Sequence, residues 1–273
     1  MHAAIAAHKA QTIAERKELG RRYLESHPSS TVVPYERAAA KVSLVEETRA
    51  VREEALRVSE GRASQHSSGS LEYLALAHDF AADSETIRMG MSPLFLAPII
   101  RYCGMLPVLF NLFVTRAYQN EFNANSPHNF HLDPEDVISF KVFIHLTDVD
   151  DDCGPFHTLP AEWTQKVLTA LNYRGITFIP DERIAELVGW DKVMRFIGPQ
   201  GTVALADTTR CLHFGGRPRK EGKPFRDMLV YQYLLPTSLL FPIDGDAKHP
   251  RFLPQLEPRG DAHWDALIGA TLT

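Results

Sequence analysis

Cysteine is scarce. Cys103, Cys153 and Cys211 are widely spaced, odd in number and never form CxxC. That excludes a zinc ribbon and a disulfide framework. A reducing cytoplasm is the simplest setting for such a chain. Positive charge is not in excess either: 29 Lys and Arg against 34 Asp and Glu give a net charge of −5 and a pI near 6.2. Bulk nucleic-acid binding wants a basic surface, so no nucleic-acid partner is expected. A continuous apolar run is missing as well. The most apolar stretch, SPLFLAPIIRYCGMLPVLFNLFVTRAY at 92–118, is interrupted by Pro98, Arg101, Gly104 and Pro107. It reads as two short buried helices, or a helix and a strand, and no transmembrane span is expected. The first residues, MHAAIAAHKAQTIAERKELGRR, lack the apolar core of a secretory signal. There is no internal repeat.

What is present suits a globular protein. With 273 residues, 44% hydrophobic and 23% charged, the chain can bury a good core. Early segments such as QTIAERKELGRRYLES and KVSLVEETRAVREEALRVSE space apolar residues three and four apart among charges, which predicts helices. GRASQHSSGS at 61–70 reads as a loop. From about residue 115 the texture changes. VTRAYQNEF, DVISFKVFIHL, GTVALAD and RDMLVYQYLL are short, β-branched or aromatic, and bounded by Gly, Pro and Asp. AEWTQKVLTALNYRG interrupts them as a helix, and PDERIAELVGWDKVMRF reads as a second interruption. Short strands with turn signals predict a sandwich or barrel. The tail from 242, rich in Pro, His and Asp, reads as a wrapping segment.

One constellation carries chemistry. His131 and Asp133 form His-x-Asp ahead of a predicted strand. On extended backbone these positions share a face, so an imidazole and a carboxylate can bind one metal together. His213, far downstream at the end of another predicted strand, supplies a third ligand. Two His and one carboxylate leave three positions open, an arrangement suited to non-haem Fe(II) oxygenases. Arg226 opens the strand after His213 and can grip a carboxylate through parallel hydrogen bonds. Arg217 and Arg219 lie in the intervening turn, where a solvated surface is the simpler fate. Lys141, Phe143 and His145 alternate on one strand. Lys141 could meet a cosubstrate or substrate carboxylate, and Phe143 could wall the pocket. Gln119 and Asn123, on the preceding strand, are weaker pocket candidates. His128 reads as a polar loop residue and His157 as core or support. Asp148, Asp150, Asp151 and Asp152 lack the spacing of an EF-hand loop and read as a solvated turn. Cys211 lies near the metal or simply packs.

The pieces FHLD, FKVFIHLTDVDDDCGPFHTLP, GTVALAD and CLHFGG…FRDMLVYQY, in that order between about 115 and 235, resemble the phytanoyl-CoA dioxygenase-like branch of the Fe(II)/2-oxoglutarate-dependent oxygenases. The resemblance covers somewhat under half the chain. It implies a mainly β fold with flanking helices: a double-stranded β-helix (jelly-roll, cupin-like) core plus an N-terminal helical region. In a single domain, 1–90 would be the mainly helical N-terminal region, 115–240 the jelly-roll core and 241–273 the C-terminal wrapping segment. Carried over position by position, His131, Asp133 and His213 match the catalytic metal triad, and Arg226 matches the residue that binds the far carboxylate of 2-oxoglutarate. Fe(II), 2-oxoglutarate and O2 are the implied cofactors, with hydroxylation of an unactivated C–H and release of succinate and CO2. Halogenases of this kind lack the carboxylate ligand, so Asp133 favours hydroxylation.

Two departures stand out: LPAEW replaces the usual Pro-Gly-Ser-His, and Gly215 stands where a small hydroxyl residue is common. The substrate class stays open between small natural products and lipid-linked molecules. The basic turn Arg217, Arg219, Lys220 and Lys223 would suit an anionic one. The apolar 92–114 segment would suit a protein that sits peripherally on a membrane. The alternatives are a cupin-like metalloenzyme with no use for Arg226, and a non-catalytic jelly-roll binding module.

Overall fold

The structure, a computed structural model, describes residues 2–28, 31–62, 66–68, 71–117, 128–134, 136–173, 177–215, 217, 226–238, 253 and 255–270. Its elements in chain order are α1 (His2–Ser26), β1 (Ala39–Ser43), α2 (Arg49–Ser59), β2 (His66–Ser68), β3 (Leu71–Leu76), α3 (Glu85–Gly90), α4 (Pro93–Cys103), β4 (Val108–Ala117), β5 (Ser139–His145), β6 (Phe156–Thr158), α5 (Ala161–Ala170), α6 (Asp181–Val188), β7 (Met194–Phe196), β8 (Thr202–Asp207), β9 (His213–Phe214), β10 (Arg226–Leu234) and α7 (Ala262–Leu267). Seven strands form a major sheet in the order β1-β8-β5-β10-β4-β3-β2, and three form a minor sheet in the order β7-β6-β9. Every strand pairing among the described residues is antiparallel. Two facing antiparallel sheets with helices outside make the jelly-roll arrangement.

The central strands of the major sheet are buried on both faces, which explains why they read as near-continuous apolar runs. Every residue of β10 is buried. Strand parity divides them. Arg226, Met228 and Val230 line the space between the sheets. Leu229, Tyr231 and Tyr233 turn the other way, into the main core with helix residues such as Phe95, Leu96 and Ile99. The Tyr231 and Tyr233 hydroxyls donate to the carbonyls of Thr86 and Gly90 at 2.9 and 2.7 Å, so the buried phenols keep partners. Gly90 permits the close approach: a Cβ there would stand 2.9 Å from the Tyr231 ring.

The apolar stretch at 92–118 resolves into one helix and one strand, α4 and β4. Pro93 starts α4, and Gly104, left-handed at φ 72°, ends it. No helix among the described residues is long and apolar enough to cross a membrane.

Four expectations differ from the structure. The interruption PDERIAELVGWDKVMRF is helical over Asp181–Val188, but its end forms β7, which pairs with β6. The sheet does not begin near 115, because β1, β2, β3 and the first part of β4 precede it. The helix expected from Lys41 starts only at Arg49. Ala39–Ser43 is instead an edge strand on β8, where cross-strand pairing outweighs local helical spacing. The loop expected at 61–70 contains β2, which pairs with β3. Beyond residue 253, α7 packs against α1 through His263, whose Nε2 lies 3.2 Å from the Leu19 carbonyl.

Candidate metal centre

The minor sheet brings the triad together through the backbone. His131 and His213 form an antiparallel bridge, exchanging two N–H···O bonds of 3.0 Å. The Asp133 N–H donates to the Thr208 carbonyl, also at 3.0 Å. A ligand atom from each of His131, Asp133 and His213 lies within 4.8 Å of the others. Asp133 Oδ1 is 3.6 Å from His213 Nε2 and 3.9 Å from His131 Nε2.

The histidine tautomers are set by hydrogen bonds. His131 Nδ1 is 2.9 Å from the Asn129 carbonyl, and His213 Nδ1 is 2.9 Å from the Cys211 carbonyl. A carbonyl only accepts, so each Nδ1 carries a proton, and each Nε2 is the atom turned toward Asp133. Burial, with His213 close by, lowers His131 to about 4, which keeps it neutral near pH 7. Burial works to raise Asp133, but the charges of Lys141 and His213 hold it well below the usual carboxylate range. Two imidazoles with Nε2 turned to a shared carboxylate are a donor set that suits a divalent transition metal.

A cavity of about 240 Å³ opens beside the triad. Phe143 on β5, Met228 and Val230 on β10, and Phe113 and Thr115 on β4 line its major-sheet side. Phe156 faces them from β6, stacked on Phe143 with ring centres 4.4 Å apart and 5.6 Å from His213. Arg226 lies at the same cavity, only 1% exposed. Its Nε and Nη1 are buried with no hydrogen-bond partner among the described residues. Burial lowers its pKa to about 10, so it stays charged. A buried guanidinium without partners is costly unless an anion completes it. Gly215 explains one departure: a Cβ there would stand 3.1 Å from Arg226 Nη2.

Most expected residues therefore meet at one cavity: His131, Asp133, His213, Arg226, Lys141 and Phe143. Lys141 differs in detail from its expected role, since its Nζ lies 2.7 Å from Asp133 Oδ2. Gln119 and Asn123 lie outside the described residues. Leu71 and Tyr73 on β3 complete a wall that sequence reading missed. Their alternation in LEYLAL was the available signal, obscured by a register shift between Tyr73 and Ala75.

The remaining histidines and acids fall outside the triad. His128 is a loop residue, as expected, but a buried one, and its carbonyl accepts from Arg217 Nε. His157 stacks on Phe214 at 4.5 Å. His145 is fully buried, and burial, with the charge of Arg226, lowers it to about 4. The acids at 148–152 serve a turn: Asp150 caps it, Asp148 accepts from Gln200 N, and Asp151 pairs with Arg195. Cys211 is packed against the Arg37 carbonyl, where burial raises its thiol to about 12, and it stands outside the His131, Asp133, His213 cluster. Arg217 is paired to Asp181 through both terminal nitrogens, at 2.6 and 3.0 Å, rather than solvated.

No protein-family model matches the chain, and no curated protein does. Solved structures do resemble it. HygX from Streptomyces hygroscopicus, with nickel and 2-oxoglutarate bound, has a TM-score of 0.50 at 14% identity, over 73% of this chain and 84% of HygX. The epimerase SnoN, in complex with Fe3+, alpha ketoglutarate and nogalamycin RO, has a TM-score of 0.52 at 18% identity, over 79% and 89%. EctD from S. alaskensis, in its apoform, has a TM-score of 0.50 at 14% identity, over 78% of each chain. At these identities the likeness shows the fold: the chain folds as a mainly antiparallel jelly roll with flanking helices.

Proposed function

We propose that the protein is an Fe(II)- and 2-oxoglutarate-dependent oxygenase of the phytanoyl-CoA dioxygenase-like kind that hydroxylates an unactivated C–H of a small molecule. The observation that carries this is one cavity shared by a His, Asp, His cluster and a buried guanidinium whose Nε and Nη1 have no hydrogen-bond partner among the described residues. HygX and SnoN, with the same fold, hold nickel or iron together with the keto acid. A cupin-like metalloenzyme that takes no oxo-acid would leave Arg226 without purpose.

In this reading His131, Asp133 and His213 hold iron, and the bound iron and keto acid supply oxidation of 2-oxoglutarate by O2 to succinate and CO2 with insertion of the other oxygen atom into the substrate C–H. The chain's own part is binding and orientation. Arg226 would hold the far carboxylate of the cosubstrate with its guanidinium. The backbone carbonyls of Asn129 and Cys211 keep each imidazole Nδ1 protonated and each Nε2 available. The rings of Phe143 and Phe156 exclude water from one side. The apolar lining from Leu71, Phe113, Met228 and Val230 favours a largely apolar substrate near the reacting centre.

Adding Fe(II) and 2-oxoglutarate anaerobically should give a weak visible charge-transfer band, and admitting O2 should release succinate. His131→Ala should abolish the band. If the wild-type protein gives no band and no succinate, the oxygenase reading fails.

A further inference from the structure

The two oxygens of Asp133 have separate neighbours. Oδ1 faces the Nε2 atoms of His213 and His131 at 3.6 and 3.9 Å. Oδ2 lies 2.7 Å from Lys141 Nζ, a charge-assisted distance. Both side chains are nearly enclosed, at 14% and 13% exposure. Lys141 projects from the inner face of β5, whose register is fixed on both sides, opposite Gln232 on β10 and Ala206 on β8. The small Ala206 leaves room for the lysine stem. An interior strand position therefore anchors the ammonium against one chosen oxygen of the carboxylate.

We propose that Lys141 is a positioning residue that makes Asp133 a one-oxygen metal ligand; this rests on the triad reading above. A free carboxylate can rotate and chelate a metal through both oxygens. That would fill a position which a two-point keto-acid chelate and O2 together require. With Oδ2 held by Lys141, only Oδ1 is presented to the triad, and three positions stay open. Lys141 acts through Asp133 and not on the substrate. Groups that orient a ligand in this way typically change metal affinity by about 10- to 100-fold.

Co(II) serves as the probe, because its visible absorption reports coordination number without turnover. Wild-type protein, Lys141→Met and Lys141→Arg are titrated with Co(II), and then with 2-oxoglutarate. Thermal melting confirms that each variant folds. The expected result is roughly 10- to 100-fold weaker Co(II) binding and an altered spectrum in K141M, with most of both restored in K141R. Unchanged or tighter Co(II) binding by K141M with the wild-type spectrum overturns the proposal. If that is accompanied by weakened 2-oxoglutarate binding, Lys141 is a cosubstrate ligand instead. Failure of the wild-type protein to bind Co(II) overturns the triad reading, and this inference with it.

Discussion

Arg226 and Asp227 are neighbours in sequence, yet their side chains lie on opposite faces of β10 and meet opposite fates. Asp227 is 2% exposed and takes a two-point ion pair from Arg116, with bonds of 2.7 and 2.6 Å. Arg226 is as deeply buried, but its Nε and Nη1 have no partner among the described residues. The outer-face charge is answered by the chain itself. The inner-face charge is answered by nothing described, and it borders a cavity that also holds the triad. Residues that only stabilise a fold are normally satisfied within it. A buried charge left open points to a ligand.

The comparison breaks most sharply at Arg226. Arg226→Met keeps the volume and removes the charge. The apo protein should gain about 1–3 kcal/mol of stability, because a costly desolvated cation is gone. 2-Oxoglutarate affinity should fall by about 30-fold or more, since a buried charge pair is worth about 2–5 kcal/mol. Melting curves and titration of the anaerobic charge-transfer band measure the two effects. A variant that loses stability and keeps its cosubstrate affinity would place Arg226 with the structural charges.

The opposite substitution sharpens the contrast. Asp227→Asn leaves Arg116 without its carboxylate. Arg116 retains 25% exposure, so water recovers part of the lost interaction. Stability should fall by about 1–2 kcal/mol, while 2-oxoglutarate affinity changes by less than about twofold. Urea unfolding and the same band titration separate the outcomes. Loss of affinity equal to that of R226M would mean that the two faces of β10 are not independent.

How much of this was legible beforehand follows the same division. His-x-Asp, the distal His and Arg226 were readable because ligand chemistry restricts residue type and extended backbone fixes parity. β5, β8 and β10 were readable for a related reason: turn residues bound them closely. The three-residue β6 and β7 were not, and β7 falls at the end of a segment that reads as helical. Nor were β1, β2 and β3. Their short runs gain stability only from pairing with distant β8 and β4, which no local window contains. Lys141 was visible as a pocket residue, but its partner was not. Which carboxylate an ammonium meets depends on how Asp133, carried by the chain before β5, folds back over that strand.

Gly215 offers the finest adjustment of the Arg226 side. It stands where a hydroxyl residue was expected, and its missing side chain leaves space beside the guanidinium. Gly215→Ala would put a Cβ 3.1 Å from Nη2, close enough that the guanidinium must shift by a few tenths of an ångström. The charge and the burial stay the same, so only placement changes. 2-Oxoglutarate affinity should weaken by about two- to fivefold, under about 1 kcal/mol, with the triad's Co(II) affinity and spectrum unaffected. If the alanine variant binds the keto acid as tightly as the wild type, Arg226 has slack, and the glycine is needed there for something other than the aim of that side chain.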